Sequence, residues 1–309
     1  MGTEDQKSKE RLMKSAGTAS VVVALILIAL KIYAWLETSS VAVFASLIDS
    51  GMDAIASVIN FIAIKISLEP PDDEHRYGHG KAEAIAGLAQ ASFIAGSAVI
   101  LLFNAIDRLI NPRPLDELDV GMIVMVISLV LTMALVTYQK YVVRKTNSTA
   151  IKADALHYVT DILSNAATLM ALYLASIGYM KLDVIIGIVI GLYILHSAWE
   201  IVKESLDVLL DRELDSELKQ EIAKVINSHE KVFGFHDMRT RRSGLKNYIQ
   251  FHVELDDDLT LMEAHDVSEE IEASITKNFP DTEAIVHIDP KSLYESKPRE
   301  GFAETWQND

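Results

Sequence analysis

Long apolar runs fill the first two thirds of this 309-residue chain, and they limit the folds that it can adopt. A helix needs about 20 apolar residues to cross the hydrocarbon core of a bilayer. Runs of this kind lie at about 16–36, 41–68, 83–109, 120–143, 149–177 and 184–206. The sequence therefore predicts a six-helix transmembrane domain over residues 16–209, preceded by a polar segment over residues 1–15.

Lysine and arginine are distributed unevenly between the predicted loops. Most of them precede the first span or lie between the second and third and between the fourth and fifth spans, while the other side has only Arg108, Arg113 and Lys181. Because basic loops remain in the cytoplasm, both termini are predicted to be cytoplasmic. The first run is too long for the core of a signal peptide and is interpreted as a retained span.

After residue 209 the pattern becomes that of a small globular domain. Helices are predicted over 215–228 and 261–279, and strands over 232–241, 247–255 and 283–288. This αββαβ order predicts an α+β domain in residues 210–290, with its helices on one face of an open sheet. The fold class is thus an α-helical membrane protein followed by a small α+β cytoplasmic domain and a polar tail at 291–309.

Charge and cysteine content exclude several kinds of partner. The net charge of −16 at pH 7 argues against nucleic acid, because phosphate binding needs basic patches. The chain has no cysteine, which rules out disulfides and thiolate metal sites. Any bound metal must therefore be held by histidine and carboxylate.

Two predicted spans carry ionisable pairs at helical spacing. Asp49 and Asp53 lie in the second span, and His157 and Asp161 in the fifth. Ionisable groups inside a bilayer cost about 2.5–3.5 kcal/mol each on insertion scales, so they are rare and usually functional. If the two faces meet, one imidazole and three carboxylates surround a point, as in a four-coordinate zinc site. The alternative for any one of them is helix packing. Asp154, which lies nearer the cytoplasmic end of the span, is interpreted as solvated or at an entrance.

A second candidate site lies in the loop after the second span. Asp72, His75 and His79 have spacing that suits a metal, although Gly78 and two prolines favour irregular backbone over helix. The alternative is a solvated acidic loop.

A third candidate site lies in the C-terminal domain. With a turn centred near Gly244, His236 and His252 fall opposite each other across the hairpin, provided that no bulge intervenes. His287 and Asp289 share one face of a strand. With His265, at the start of the second helix, these residues could hold two ions bridged by Asp289, whereas scattered surface histidines are the alternative.

Four motifs together resemble the cation diffusion facilitator family, most closely its bacterial zinc and ferrous-iron efflux pumps. They are Leu47–Asp53, Tyr77–Glu83, Ala153–Asp161 and Leu209–Glu213. The resemblance implies a homodimer in the bacterial inner membrane, with a transport site, a loop site and a binuclear cytoplasmic site at the residues above. It also implies an interlock between protomers through Lys81 and Asp211. Ile288 departs from the glutamine that close relatives often carry.

These observations lead to the hypothesis of a proton-coupled antiporter. It would export Zn²⁺, or Cd²⁺ or Fe²⁺, from the cytoplasm in exchange for protons. The metal would be both the substrate and a regulatory ligand, the membrane domain would contact lipid, and no organic cofactor is expected. A membrane metalloenzyme is an alternative, although the chain lacks the His-Glu-x-x-His pattern. A metal sensor with a passive membrane anchor is a third possibility.

Overall fold

The computed structural model describes residues 2–38, 41–110, 119–176 and 180–296. Its contacts divide the chain into a helical unit, Lys7–Leu206, and a second unit formed by Met1–Gln6 with Asp207–Asp309.

Each of the six predicted spans corresponds to a helix. Their bounds are α1 Gly2–Thr38, α2 Val41–Ser67, α3 Ala82–Ile110, α4 Asp119–Thr146, α5 Thr149–Ser176 and α6 Met180–Leu209. Within the residues whose side chains are described, five helices are long and apolar enough to cross a membrane, namely α1, α2, α3, α4 and α6.

Side-chain exposure in the helical unit is reversed relative to a water-soluble protein. Large apolar residues such as Leu25, Phe103 and Trp199 point outward with more than half of their surface exposed. Gln90 and Gln139, in contrast, are at most 2% exposed. This distribution suits a protein whose surface faces lipid and whose polar groups must be satisfied internally.

The start of α5 lies among its neighbours, in contact with α2, α3 and α4. The sixth helix approaches α3 closely at Gly191, where an added Cβ would lie 2.7 Å from the side chain of Leu102. A larger residue at this position would require the Leu102 side chain to shift, in agreement with the close packing expected of small residues in membrane helices.

The C-terminal unit is a three-stranded sheet with two helices on one face. Its elements are α7 Ser216–Asn227, β1 Gly234–Ser243, β2 Lys246–Leu255, α8 Leu261–Asn278, β3 Thr282–Pro290 and α9 Lys291–Ser296. The strand order is β1-β2-β3, antiparallel and then parallel, with α8 as the crossover. A capping box between Thr260 and Glu263 starts α8. The short helix α9 was not predicted, since residues 291 onward were expected to be a tail.

Alternate residues of β2 face opposite sides of the sheet. Ile249, Phe251, Val253 and Leu255 point into the core formed with Ile222 and Ile226 of α7 and Val267, Ile271 and Ile275 of α8. His252 and Glu254 therefore lie on the face away from the helices.

Candidate metal centres

The helical unit brings three of the four predicted membrane ligands together. His157 Nε2 lies 3.0 Å from Asp53 Oδ1, and one ligand atom from each of Asp53, His157 and Asp161 lies within 4.8 Å of the others. Zinc bonds to nitrogen and oxygen are about 2.0–2.2 Å long, so ligands of one ion lie about 3–4 Å apart. His157 is only 3% exposed. The contact between α2 and α5 therefore holds a compact N/O cluster in which His157 is buried and the two carboxylates are partly buried.

The fourth predicted ligand is placed differently. Asp49 lies one turn before Asp53 on α2, and its side chain is exposed. Among the described residues it is not part of the cluster. Sequence reasoning also overlooked Lys31 of α1, whose ammonium donates to the Ser46 carbonyl at 3.0 Å and the Ser50 hydroxyl at 2.6 Å, both on α2.

Asp154 is not a solvated residue, and that interpretation was wrong. It is 1% exposed and accepts hydrogen bonds from Ser20 at 2.6 Å, Gln139 at 2.7 Å and Gln90 at 3.2 Å. These donors come from α1, α4 and α3, so one carboxylate of α5 joins four helices. A carboxylate enclosed by donors of this kind is a structural tie.

The loop site is compact and exposed. Asp72 Oδ1 lies 3.3 Å from His75 Nδ1, and Asp72 Oδ2 lies 3.3 Å from His79 Nε2. The backbone amide of His75 donates to the Asp72 carboxylate and lowers the pKa of Asp72. All three residues therefore present ligand atoms to one point, with Asp72 ionised at neutral pH.

The C-terminal unit aligns three histidines across its sheet. His236 pairs with His252 and His252 with His287, and the ring centroids are 5.1 and 4.3 Å apart. Asp289 contacts all three: its Oδ2 lies 3.3 Å from His236 Nε2 and 2.7 Å from His252 Nδ1, and its Oδ1 lies 3.4 Å from His287 Nε2. Both carboxylate oxygens thus face imidazoles, which is the geometry that a carboxylate between two ions requires.

His236 lies opposite His252 because a β-bulge intervenes, whereas the expectation from the sequence assumed a hairpin without a bulge. The hairpin closes with Ser243 paired to Lys246, and a regular register from there would place His236 opposite Val253. The register shifts between His236 and Arg239, where Asp237 has a positive φ of 50°. The bulge turns His236 onto the metal face, and bulges commonly re-aim side chains near functional sites in this way.

The candidate ligand His265 and the departure from the family pattern at Ile288 both lie apart from the cluster. His265 is on the exposed side of α8 and pairs with Glu269 at 3.3 Å; among the described residues it is not grouped with His236, His252 and Asp289. Ile288 packs against the core, on the face opposite His287 and Asp289. Its side chain therefore points away from the ligands.

Asp289 is prepared for a cation. Burial raises the pKa of Asp289, but hydrogen bonding from His252 and attraction from the neighbouring imidazoles outweigh burial and hold that pKa below its usual range. The carboxylate is therefore ionised at neutral pH and carries the negative charge that a cation requires.

Glu254 is a residue of this site that sequence reasoning missed. Its Oε1 lies 3.0 Å from His236 Nδ1, and its side chain is 12% exposed. A carboxylate that accepts from Nδ1–H fixes the tautomer and leaves Nε2 free for metal. Its position two residues after His252, on the same face of β2, was the available signal.

Replacing Glu254 by glutamine is expected to weaken metal binding at the C-terminal cluster by about 10–100-fold, the usual effect of losing a carboxylate behind a histidine ligand. Zinc titration of the full-length protein measures it. Glu283, exposed on β3, provides the control as Glu283→Gln. Equal affinities in Glu254→Gln and the control would show that Glu254 does not orient His236.

The interlock predicted between Lys81 and Asp211 joins two protomers and stays a prediction. Within the C-terminal unit, Asp211 Oδ2 lies 3.5 Å from Arg241 Nη1. Lys81 lies immediately before α3 and is partly buried.

Comparison with known protein families gives two matches in chain order. The cation efflux transmembrane domain matches residues 17–210, and the cation efflux protein cytoplasmic domain matches residues 214–291. The cation-efflux pump FieF of Citrobacter koseri is 46% identical over 291 residues, covering 94% of this chain and 96% of that protein. FieF of Klebsiella pneumoniae is 43% identical over 298 residues, covering 96% and 99%.

Solved structures match a smaller part of the chain. The zinc form of CzrB is 26% identical and covers 29% of this chain and 99% of that one, with a TM-score of 0.27. The metal-bound C-terminal domain of the CzcD transporter from Thermotoga maritima is 25% identical and covers 24% and 87%, with a TM-score of 0.24.

Proposed function

This chain belongs to the bacterial cation diffusion facilitator family, and from that premise we propose that it exports zinc, or cadmium or ferrous iron, from the cytoplasm in exchange for protons. The family assignment makes it a multi-pass membrane transporter for divalent metal, not an enzyme. The choice of metal, the exchange for protons and the tetrahedral site are the parts that we propose.

The cluster of Asp53, His157 and Asp161 is the observation that supports this proposal best. It holds a nitrogen and two carboxylate oxygens within 4.8 Å of one another, in helices whose outer faces are apolar. Imidazole with carboxylate suits zinc and its neighbours and is less suited to calcium or magnesium, which prefer oxygen alone. Asp49 is proposed as the fourth ligand, and it would have to turn inward from its exposed position to complete a tetrahedron.

Exchange for protons would follow from the chemistry of His157. An imidazole binds metal only when it is neutral, so metal and proton compete for the same nitrogen. Metal would enter from the cytoplasm while the site faces inward, and protonation would release it when the site faces outward. Rocking of helices around a fixed site near the middle of the membrane would give alternating access.

The cytoplasmic domain is proposed as a regulatory metal sensor within a homodimer. His236, His252, His287 and Asp289 would bind the regulatory ions, while His265 pairs with Glu269 in the described protomer and would join them only after rearrangement or from a second copy. We further propose that the transmembrane and cytoplasmic domains divide near residue 210 and that Lys81 and Asp211 lock the two protomers together. The pump is proposed to lie in the bacterial inner membrane, with both termini in the cytoplasm.

The loop site would have a role different from those of the other two sites. Asp72 and His75 are exposed and His79 is partly buried, so metal could reach them from solution, and we propose them as a peripheral binding site. Loss of one zinc equivalent in Asp72→Ala, with the other sites intact, would measure it.

Reconstitution tests the proposed function. Full-length protein in proteoliposomes is expected to move zinc when a pH gradient is imposed, with faster flux when the side opposite the metal is more acidic. Adding cadmium or ferrous iron as competitors ranks the substrates. Zinc flux that ignores the pH gradient would contradict proton exchange, and the absence of flux with intact zinc binding would favour the membrane-anchored sensor.

A further inference from the structure

Lys31 places a positive charge beside the proposed transport site. It lies inside the first apolar span, Gln6–Glu37, where a charged side chain is costly. Its ammonium does not extend along the lipid surface but donates to the Ser46 carbonyl and the Ser50 hydroxyl of α2. Ser50 is 2% exposed, so this contact is made inside the protein.

Ser46 and Ser50 lie next to the acidic residues of α2. Ser50 follows Asp49 directly and precedes Asp53 by three residues, so the ammonium is held at the level of the carboxylates. It lies within electrostatic range of Asp49, Asp53 and Asp161. Asp154, the other buried carboxylate nearby, is enclosed by its own donors Ser20, Gln90 and Gln139.

The charges of this group match a divalent ion. Three ionised ligand carboxylates with neutral His157 carry three negative charges, and Lys31 reduces the net charge to two. One divalent cation then neutralises the group, whereas without Lys31 the loaded site would keep a negative charge in a medium where charge is poorly solvated.

We propose that Lys31 is a built-in counter-charge that weakens metal binding at the transport site enough to allow release. The inference deepens the proposed function and rests on it. A transport site must bind its ion well enough to load and weakly enough to unload. A fixed ammonium on α1, tied to α2 by two hydrogen bonds, serves the second requirement.

The test compares two substitutions of Lys31 in full-length protein. Lys31→Gln removes the charge but keeps an N–H donor for α2, and Lys31→Arg keeps the charge. In Lys31→Gln, zinc affinity at the membrane site is expected to rise about tenfold or more while turnover falls. The variant lacks a unit charge that repels the divalent ion, and this repulsion is substantial at an effective dielectric constant of about 20. In Lys31→Arg, affinity and turnover are expected to stay within about threefold of wild type.

Affinity at the membrane site is measured by zinc titration in a background that carries His252→Ala and Asp72→Ala, which disable the cytoplasmic cluster and the loop site. Turnover is measured by flux in proteoliposomes. Lys65→Gln, exposed on α2, controls for the loss of any charge from a span. Structural damage alone would weaken zinc binding, so weaker or unchanged affinity in Lys31→Gln overturns the inference. The inference is also overturned if Lys31→Arg binds zinc more tightly by the same factor as Lys31→Gln. If wild-type protein binds zinc but moves none, the proposed function fails while the affinities still decide the role of Lys31.

Discussion

Replacing His157 by alanine is expected to reduce zinc flux by more than about a hundredfold while the protein stays folded. His157 supplies the only nitrogen of the buried cluster that the structure describes, at 3.0 Å from Asp53 Oδ1. Loss of a partner behind a ligand already costs about 10–100-fold in affinity, so loss of the ligand itself should cost more. Alanine also removes the group for which metal and proton would compete.

Flux in proteoliposomes with an imposed pH gradient measures this effect, and size-exclusion chromatography of the purified protein checks the fold. His196→Ala is the matched control, because His196 is exposed on α6 and pairs only loosely with Glu200, at 3.7 Å. Normal flux in His157→Ala would remove the cluster from the transport path, whatever the cytoplasmic histidines do.

Features that follow a local period could be read from the sequence. The six helices follow from apolar length, and the pairing of Asp49 with Asp53 and of His157 with Asp161 on one helix each follows from four-residue spacing. That α2 and α5 bring Asp53, His157 and Asp161 together is a contact between distant segments, which the spacing suggested but did not fix. Homologous pumps match nearly the whole chain, so the family resemblance and the metal-efflux function are confirmed. The order of elements in the cytoplasmic domain was also predicted correctly.

Features that depend on packing between distant segments could not be read in this way. The bulge after His236 shifts the register by one residue, which periodicity does not reveal. The solvated interpretation of Asp154 failed because its three donors come from three other helices, distant in sequence. The position of Lys31 against Ser46 and Ser50 likewise depends on how α1 packs on α2.

The membrane domain therefore has two buried acidic centres with different duties. The Asp53 carboxylate lies 3.0 Å from the His157 imidazole, and a ligand atom of Asp161 lies within 4.8 Å of both. The hydrogen bonds to Asp154 come instead from hydroxyl and amide groups. A centre that must exchange metal cannot be saturated by permanent donors. A centre that joins helices should be, because an unsatisfied buried polar group is costly.

Replacing Asp154 by alanine is accordingly expected to destabilise the membrane domain by about 3 kcal/mol or more, because Ser20, Gln90 and Gln139 lose their shared acceptor. Asp154→Asn should cost less, since an amide oxygen still accepts. The unfolding midpoint of purified protein measures both, with Glu200→Ala, exposed on α6, as a control expected to stay within about 0.5 kcal/mol. Unchanged stability combined with lost zinc flux would mean that Asp154 belongs to the transport path and does not serve as a structural tie.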